Sequence, residues 1–297
     1  GFWPGGDRDG NPFVTTEITI KTARKLRSDI IKNYYKDIRK LARRLTFKNI
    51  EPIINDLESR LYSSINNSIR DPKITLNELK DNLYHIREVL ISEHKSLFLD
   101  QLDDVINKVN IFGYHFASLD IRQDSRIHSK VFNNVFKKAQ KLNLTNFNED
   151  YNSLSVEKKI KILSNLSGDI PLDSFNDDLV VSTLGSIRAM KLIQNSNGEK
   201  GSNRYIISNN QSAVNILEVF SMFRLSDWNK PSIDVVPLFE TVSDLNVASL
   251  VMESVYKNPV YRKHLSFRND QQTIMLGFSD GTKAVSYTHL RAHETFA

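Results

Sequence analysis

The sequence predicts a helix-rich α/β fold whose short strands lie buried in a parallel sheet. From about residue 205 onward, short apolar runs alternate with stretches of helical periodicity, which is typical of βα units. The first half consists almost entirely of helical patterns. Over 297 residues, 40% hydrophobic and 25% charged side chains are ordinary for a globular protein and exclude a collagen-like or disordered chain.

The first half begins with a Gly- and Pro-rich loop at 1–14 and continues in four helical patterns. The first has apolar residues three or four positions apart, which places them on one buried face. The third is predicted to begin at Thr75, because Thr75 and Glu78 form a Thr-x-x-Glu capping box. The predicted helices cover about 16–46, 51–68, 75–91 and 97–110, and the apolar stripe of the first is Ala23, Leu26, Ile30, Tyr34, Ile38, Leu41 and Leu45.

The second half is predicted to open with a strand in the apolar run 112–121, which ends at Arg122. A helix follows over about 124–142, and the polar, Asn-rich segment 143–178 reads as a surface excursion with one short helix at about 155–166. Further helices are predicted at about 179–195, 211–224 and 242–257, and further strands at 205–208, 233–239 and 273–278.

The net charge of +5, from 40 basic and 35 acidic residues, is unevenly distributed. Residues 1–48 carry +7 and the remainder −2, so most of the excess lies on the first predicted helix. A basic helix can bind nucleic acid through phosphate contacts. The other interpretation is a solvated helix face, which we favour because no zinc-finger, helix-turn-helix or RNP pattern accompanies it. We therefore expect no nucleic-acid partner.

Several other classes are disfavoured by what the sequence lacks. No apolar run approaches the roughly 18–20 residues that a membrane span needs, so we expect no membrane association. The absence of cysteine excludes disulfides, thiolate metal sites and a cysteine nucleophile, and it favours a reducing compartment. The only H-x-x-x-H pair is His289 with His293, so a zinc site is not predicted.

Three predicted strands end in charged residues that could form a site. The first ends at Arg122, the third at Glu240, and the last at Asp280 with Lys283 close behind. Functional groups of parallel βα folds collect at the carboxyl ends of strands. Two carboxylates suit a hard cation such as Mg²⁺ or Mn²⁺, and an arginine can grip an anionic substrate. The alternative is that these residues are charged only because the chain there reaches water.

Four segments together resemble phosphoenolpyruvate carboxylase of the bacterial type. Trp3 to Pro12 resembles the family's W-x-G-G-D-R-D-G-N-P signature, and the residues around Arg122 resemble its L-D-I-R-Q segment. Pro237 to Leu245 resembles P-L-F-E-T-x-x-D-L, and Met275 to Lys283 resembles M-x-G-[YF]-S-D-[SG]-x-K. The four occur in the family's order, and the resemblance covers residues 1–283.

The resemblance implies a fold, a reaction and roles for individual residues. The fold would be part of a (β/α)₈ TIM-type barrel wrapped in many extra helices. The reaction would carboxylate phosphoenolpyruvate with bicarbonate, through carboxyphosphate and an enolate, to oxaloacetate and phosphate. The family is cytoplasmic and usually tetrameric. By motif, Glu240 and Asp280 would bind Mg²⁺ or Mn²⁺, Arg122 the substrate phosphate and Lys283 the bicarbonate or carboxyphosphate, and the CO₂ pocket would be lined by Trp3, Leu238 and Met275.

The sequence also departs from the family pattern. The family's T-x-H-P-T-E motif, which carries its catalytic histidine, and its G-R-G-G-type loop have no counterpart in these 297 residues. Residues 284–297 do not resemble the family and read as a non-native tail. We therefore expect an internal fragment that is inactive alone. The alternatives are a non-catalytic helical binding module built around the basic helix, or a degenerate homologue.

Overall fold

The computed structural model describes residues 1–65 and 73–277, which form helices around a small parallel sheet. The four strands are β1 (Ile121–Asp124), β2 (Arg204–Ser208), β3 (Asp234–Phe239) and β4 (Met275–Leu276). The helices are α1 (Thr16–Ala42), α2 (Glu51–Ile65), α3 (Leu76–Glu93), α4 (Leu99–Phe112), α5 (Ser125–Lys141), α6 (Val156–Asn165), α7 (Asp178–Asn197), α8 (Ala213–Arg224), α9 (Val242–Lys257) and α10 (Pro259–Phe267).

The strands pair in the order β1-β2-β3-β4, and every neighbouring pair is parallel. This confirms the prediction of a helix-rich α/β fold with a parallel sheet. The register pairs Arg122 with Ile206, Ile206 with Val236, and Leu238 with Met275. Because the strands run in the same direction, their carboxyl ends meet at one edge of the sheet.

The chain divides into two compact units. The helical unit consists of Gly1–Phe2, Glu17–Leu119 and Lys191–Ser202, and the sheet unit consists of Trp3–Thr16, Asp120–Met190 and Asn203–Ala297. The sheet unit has its main core on one face of the sheet, where alternate strand residues such as Tyr205 and Val235 pack among apolar side chains of α5 and α8. One face of the sheet is therefore covered by helices α5 and α8.

The helical unit confirms the predicted apolar stripe. All seven stripe residues are buried, although α1 ends at Ala42 and Leu45 lies beyond it. Thr75 caps α3 as predicted, accepting from the backbone of Glu78 while the Glu78 carboxylate accepts from the backbone of Thr75. Basic side chains of α1 reach carboxylates on the same or neighbouring helices, namely Lys25 to Asp29, Arg39 to Glu58 and Lys40 to Asp37.

The predicted strand at 112–121 is wrong. α4 continues to Phe112, and left-handed backbone follows at Gly113 (φ 47°) and Phe116 (φ 62°). The apolar character of this run reflects burial against the helices, since Tyr114 belongs to the helical core and its hydroxyl donates to the Ile74 carbonyl over 3.1 Å. β1 begins only at Ile121 and runs to Asp124, so Arg122 lies inside the strand.

Among the α-helices of the described residues, one was not predicted. α10 follows α9 after Asn258, whose side-chain oxygen accepts from the backbone N–H groups of Val260 and Tyr261, each over 3.1 Å. Proline at the first helical position adds to this cap, so the Asn258-Pro259 pair is a helix-start signal that the sequence carries. No helix within 1–65 or 73–277 is both long and apolar enough to cross a membrane.

Candidate functional site

The sheet face opposite the main core carries a second, smaller apolar cluster. It contains Ile206, Val236 and Leu238 from β2 and β3, with Trp3 and Met275 packed against them. We call this surface the Trp3 face. Side chains alternate across a strand, so residues in register on neighbouring strands share a face. The three residues predicted for the CO₂ pocket, Trp3, Leu238 and Met275, are therefore brought together here.

Arg122 belongs to the same face, because its register partner is Ile206. Its guanidinium carbon lies 4.7 Å from the centre of the Trp3 ring, which is a cation–π contact. Its Nε and Nη2 donate to the two carboxylate oxygens of Asp7 over 2.7 and 2.9 Å. No protein group in the described part of the chain accepts from Nη1. Arg122 is thus fixed on one side by Asp7 while one nitrogen keeps its donors for a ligand.

The charge of Arg122 is secured by its neighbours. Burial disfavours the cation, but the hydrogen-bonded Asp7 carboxylate, with Asp9 and Glu240 acting over longer distances, outweighs burial and raises the pKa of Arg122 above its ordinary value. The loop that carries Asp7 is itself tied to β1. The Arg8 N–H donates to the Arg122 carbonyl over 2.9 Å, and the Arg122 N–H donates to the Gly6 carbonyl over 3.0 Å.

Arg8 anchors that loop from the other side. Its guanidinium is buried and donates to Ser182 of α7, through Nη1 to the carbonyl over 2.7 Å and through Nη2 to the hydroxyl. Asp7 and Arg8, consecutive residues of the Gly-Gly-Asp-Arg-Asp-Gly run, therefore have different structural roles. Asp7 binds the guanidinium of Arg122, whereas Arg8 fixes the loop to α7 of the sheet unit.

Glu240 immediately follows β3 at the carboxyl edge of the sheet. Its Oε2 accepts from the backbone N–H of Asn209 over 2.8 Å, and Asn209, which follows β2, has left-handed backbone with φ 52°. A Cβ atom added to Gly277 would lie 3.0 Å from Cγ of Glu240 and 3.2 Å from its Cα. The backbone at the end of β2 therefore orients the Glu240 carboxylate, and Gly277, which follows β4, packs closely against the Glu240 side chain.

The donor chemistry of this edge fits a hard divalent cation. Carboxylate oxygens are the ligands that Mg²⁺ and Mn²⁺ prefer, and Mg²⁺ is usually held by one or two carboxylates together with substrate oxygens. Within residues 1–65 and 73–277, no cluster of three His, Asp or Glu side chains gathers for a metal. Glu240 supplies one such carboxylate, and the second predicted ligand, Asp280, lies outside the described residues, as do Lys283 and the segment 284–297.

Sequence reasoning assigned no role to Asp7 or Asn209. The signal for Asp7 was its place in the Gly-Gly-Asp-Arg-Asp-Gly run, which was quoted only for resemblance. Asn209 acts through its backbone, and an Asn-Asn pair directly after a buried strand signals a left-handed turn. Asp120 also contributes, since it accepts from the Trp3 indole over 3.2 Å and from Arg204 over 2.8 Å. It thereby fixes Trp3 beside Arg122.

These features define a class: a parallel α/β protein with an arginine, a strand-end carboxylate and an apolar cluster assembled at one face and edge of the sheet. An arginine beside a strand-end carboxylate can bind an anionic ligand. The family model for phosphoenolpyruvate carboxylase matches residues 1–73 and 66–288. The chain therefore belongs to the phosphoenolpyruvate carboxylase family.

Two curated relatives give the extent of the similarity. They are the phosphoenolpyruvate carboxylases of Nitrosomonas eutropha and Nitrosomonas europaea, and each is 28% identical to this chain over 95% of its residues. The matched region is 35% of each relative, so this chain spans about a third of their length.

Proposed function

We propose that the protein to which this chain belongs is a phosphoenolpyruvate carboxylase, a carboxy-lyase that converts phosphoenolpyruvate and bicarbonate into oxaloacetate and phosphate. The family match carries this proposal. It is supported by the meeting of Arg122, Glu240 and the Trp3 face in one region of the sheet unit. The substrates are anionic, which suits a site whose arginine has one nitrogen with no acceptor among the described residues.

Arg122 binds the phosphate group of the substrate in this proposal. Asp7 occupies Nε and Nη2, so the guanidinium plane is set before the ligand arrives and little side-chain entropy is lost on binding. The remaining nitrogen donates to phosphate oxygen, and charge-assisted bonds of this kind are about twice as strong as neutral ones. Lys283 holds the bicarbonate or the carboxyphosphate.

Glu240 and Asp280 hold the divalent ion, Mg²⁺ or Mn²⁺. When bound, the ion supplies Lewis-acid stabilisation of negative charge on the substrate. The Asn209 N–H donates to Oε2 of Glu240 and thereby orients the carboxylate that Glu240 contributes. Trp3, Leu238 and Met275 provide an apolar surface for CO₂ that excludes water from the reacting groups.

We assign the sheet to part of a (β/α)₈ barrel. The strands follow one another in chain order, all parallel and connected through helices, whereas a doubly wound sheet would reverse its order. Residues 1–283 belong to this catalytic domain and 284–297 are a non-native tail. The whole protein is a cytoplasmic homotetramer without nucleic-acid or membrane partners, and the 297-residue chain alone is inactive because it lacks the catalytic-histidine motif.

The test is expression of the complete product of the reading frame that encodes this chain, supplied with phosphoenolpyruvate and ¹³C-bicarbonate. We expect ¹³C in oxaloacetate with one phosphate released per oxaloacetate, dependent on Mg²⁺ or Mn²⁺. The 297-residue chain measured in parallel should produce neither. Phosphate release without label, or no turnover at all, would contradict the proposal. If there is no turnover, the chain's binding to nucleic acid distinguishes the two alternatives. Binding that weakens steeply with salt would favour the module built around the basic helix. No such binding would favour a degenerate homologue.

A further inference from the structure

The sheet unit contains a cavity at the amino end of the sheet, away from Glu240. It has a volume of about 440 Å³ and lies among the end of α8, the loop that leads into β3, and α10. The volume is within the range of small-molecule sites. Its lining residues are Ser167, Phe220, Arg224, Asn229, Lys230, Val260, Lys263, His264 and Phe267.

The charged groups of this lining are all cationic. Arg224, Lys230 and Lys263 contribute three positive charges, and no aspartate or glutamate lines the cavity. Within the described part of the chain, none of the three forms an ion pair with a carboxylate. By comparison, Arg262 and Arg268 of the same region are paired with Asp270 and Asp234, each over 3.0 Å. The cavity therefore concentrates positive charge that the surrounding protein does not neutralise.

Arg224 is the least solvated of these cations. Its Nη1 donates to the carbonyl of Ser164 over 3.1 Å, with a longer contact of 3.4 Å to the carbonyl of Leu163. Burial lowers its pKa from the ordinary value, and no acidic neighbour opposes that effect. A partly buried guanidinium without a counter-ion is costly, and an anion in the cavity would relieve that cost.

His264 adds a polar group on the same wall. His264 is only 5% exposed, and within the described part of the chain neither ring nitrogen makes a hydrogen bond of good geometry. Burial and the neighbouring Arg268 lower the pKa of His264 to about 4, although Asp234 and the Ile233 backbone oppose them. The neutral ring carries one donor and one acceptor, so it can contribute a hydrogen bond to a ligand.

Beside the polar side chains of Ser167 and Asn229, the remaining lining is apolar. Phe220 is buried, with its ring centre 4.8 Å from that of His264, and Phe267 is 56% exposed at the cavity. Val260 lies on the same helix as Phe267. A ligand that satisfies this lining must combine an anionic group with an apolar body, because inorganic ions would leave the aromatic wall in contact with water.

We propose that this cavity is a binding site for a small organic anion, in which a carboxylate or phosphate group meets Arg224, Lys230 and Lys263 and an apolar body packs against Phe220, Val260 and Phe267. The proposal rests on the lining of the cavity and is independent of the carboxylase activity. Sequence reasoning did not find it, because its cations come from three separate segments and one of the helices was not predicted.

The experiment is calorimetric titration of the 297-residue chain with phenyl phosphate and with 3-phenylpropionate, which carry the two anionic groups on a phenyl body. Phenol and inorganic phosphate are the controls for the apolar body and the charge alone. The test variant is Lys230→Gln/Lys263→Gln, whose positions are exposed and so tolerate the change. The matched control is Lys257→Gln/Lys161→Gln, which removes the same charge from exposed positions outside the cavity.

We expect at least one organic anion to bind with a Kd of about 1 mM or tighter, and both control ligands to bind at least about tenfold more weakly. Affinity should fall about tenfold in the Lys230→Gln/Lys263→Gln variant and change less than about twofold in the matched control. Equal losses in the two variants, equal binding of inorganic phosphate, or no binding of either organic anion at about 10 mM would overturn the proposal.

Discussion

Arg122 is the residue at which position, charge and orientation are all determined by neighbours. Strand register places it on the Trp3 face, Asp7 fixes its plane with two hydrogen bonds, and the Trp3 ring lies 4.7 Å beneath it. Its importance could be predicted from the sequence, because the residue follows an apolar run and lies in a family motif. Its partner Asp7 could not, because the two are brought together by a fold that joins residues 115 positions apart.

We expect Arg122→Gln in the complete protein to lower kcat/KM for phosphoenolpyruvate by about 10²–10³-fold, as loss of a charged donor to a substrate anion does. The matched control is Arg126→Gln, since Arg126 is nearby but 78% exposed and paired with Asp124. That control should remain within about twofold of the unmodified protein. Similar losses in both variants would show that Arg122 has no specific role in binding substrate.

Glu218 of α8 is a buried carboxylate outside the site. It accepts from the Ser129 hydroxyl over 2.7 Å and from the Tyr151 hydroxyl over 3.0 Å, so it connects α8 to α5 and to the 143–178 excursion. Burial raises the pKa of Glu218 to about 6, although both hydroxyls oppose it. The folded protein therefore binds this proton more tightly than the unfolded chain, and stability falls as pH rises from about 4.5 through 6.

The Glu218→Gln variant should lack this loss, because the amide does not titrate; its oxygen can accept from one hydroxyl and its NH2 can donate to the oxygen of the other. We expect the variant to be more stable than the unmodified chain by about 2 kcal/mol at pH 7 and to differ least near pH 4. Urea denaturation at several pH values measures this, with the exposed Glu253→Gln as control. A difference that does not change with pH would contradict the raised pKa.

At the scale of elements, the N-cap of α9 stabilises the helix and lies directly beside the site residue Glu240. Thr241 caps this helix by accepting from the Asp244 N–H over 3.1 Å, while the Asp244 carboxylate accepts from the Thr241 N–H over 3.0 Å. Glu240 is the residue immediately before this cap. The cap therefore fixes where the strand stops and where the carboxylate is presented.

Thr241→Ala should lower the free energy of unfolding by about 1 kcal/mol, as loss of a helix N-cap does. Thr241→Ser keeps the hydroxyl and should lose less than half of that. Urea denaturation with an unchanged m-value is the measurement. Equal losses in the two variants would mean that the methyl group, and not the hydroxyl, stabilises this position.

Most elements could be predicted from periodicity and capping, and the failures have physical causes. The 112–121 run is apolar because it packs on helices, and periodicity alone cannot distinguish that from a buried strand. α10 was missed because its nine residues are few for periodicity to detect, although its Asn-Pro start was readable. β4, with two residues, was found because it lies in a family motif and follows the βα alternation.

At the scale of the whole molecule, the +5 charge and the site belong to different parts of the chain. The basic helix lies in the helical unit, where several of its cations meet carboxylates. The described site residues lie in the sheet unit and come from five segments: the 3–9 loop, β1, the turn after β2, β3 with Glu240, and β4. Composition could reveal the basic helix, because its charges are close together in the sequence. It could not reveal the site, because the site's residues come from distant segments and do not change the net charge.

The central claim is that Glu240 holds a divalent ion next to phosphoenolpyruvate bound by Arg122. It is tested most directly by the Mn²⁺-induced relaxation of the substrate's ³¹P resonance in the complete protein. We expect strong relaxation enhancement in the unmodified protein and in Glu253→Gln, which removes an exposed carboxylate from α9, and loss of most of it in Glu240→Gln. Enhancement that is equally strong in Glu240→Gln would contradict the claim.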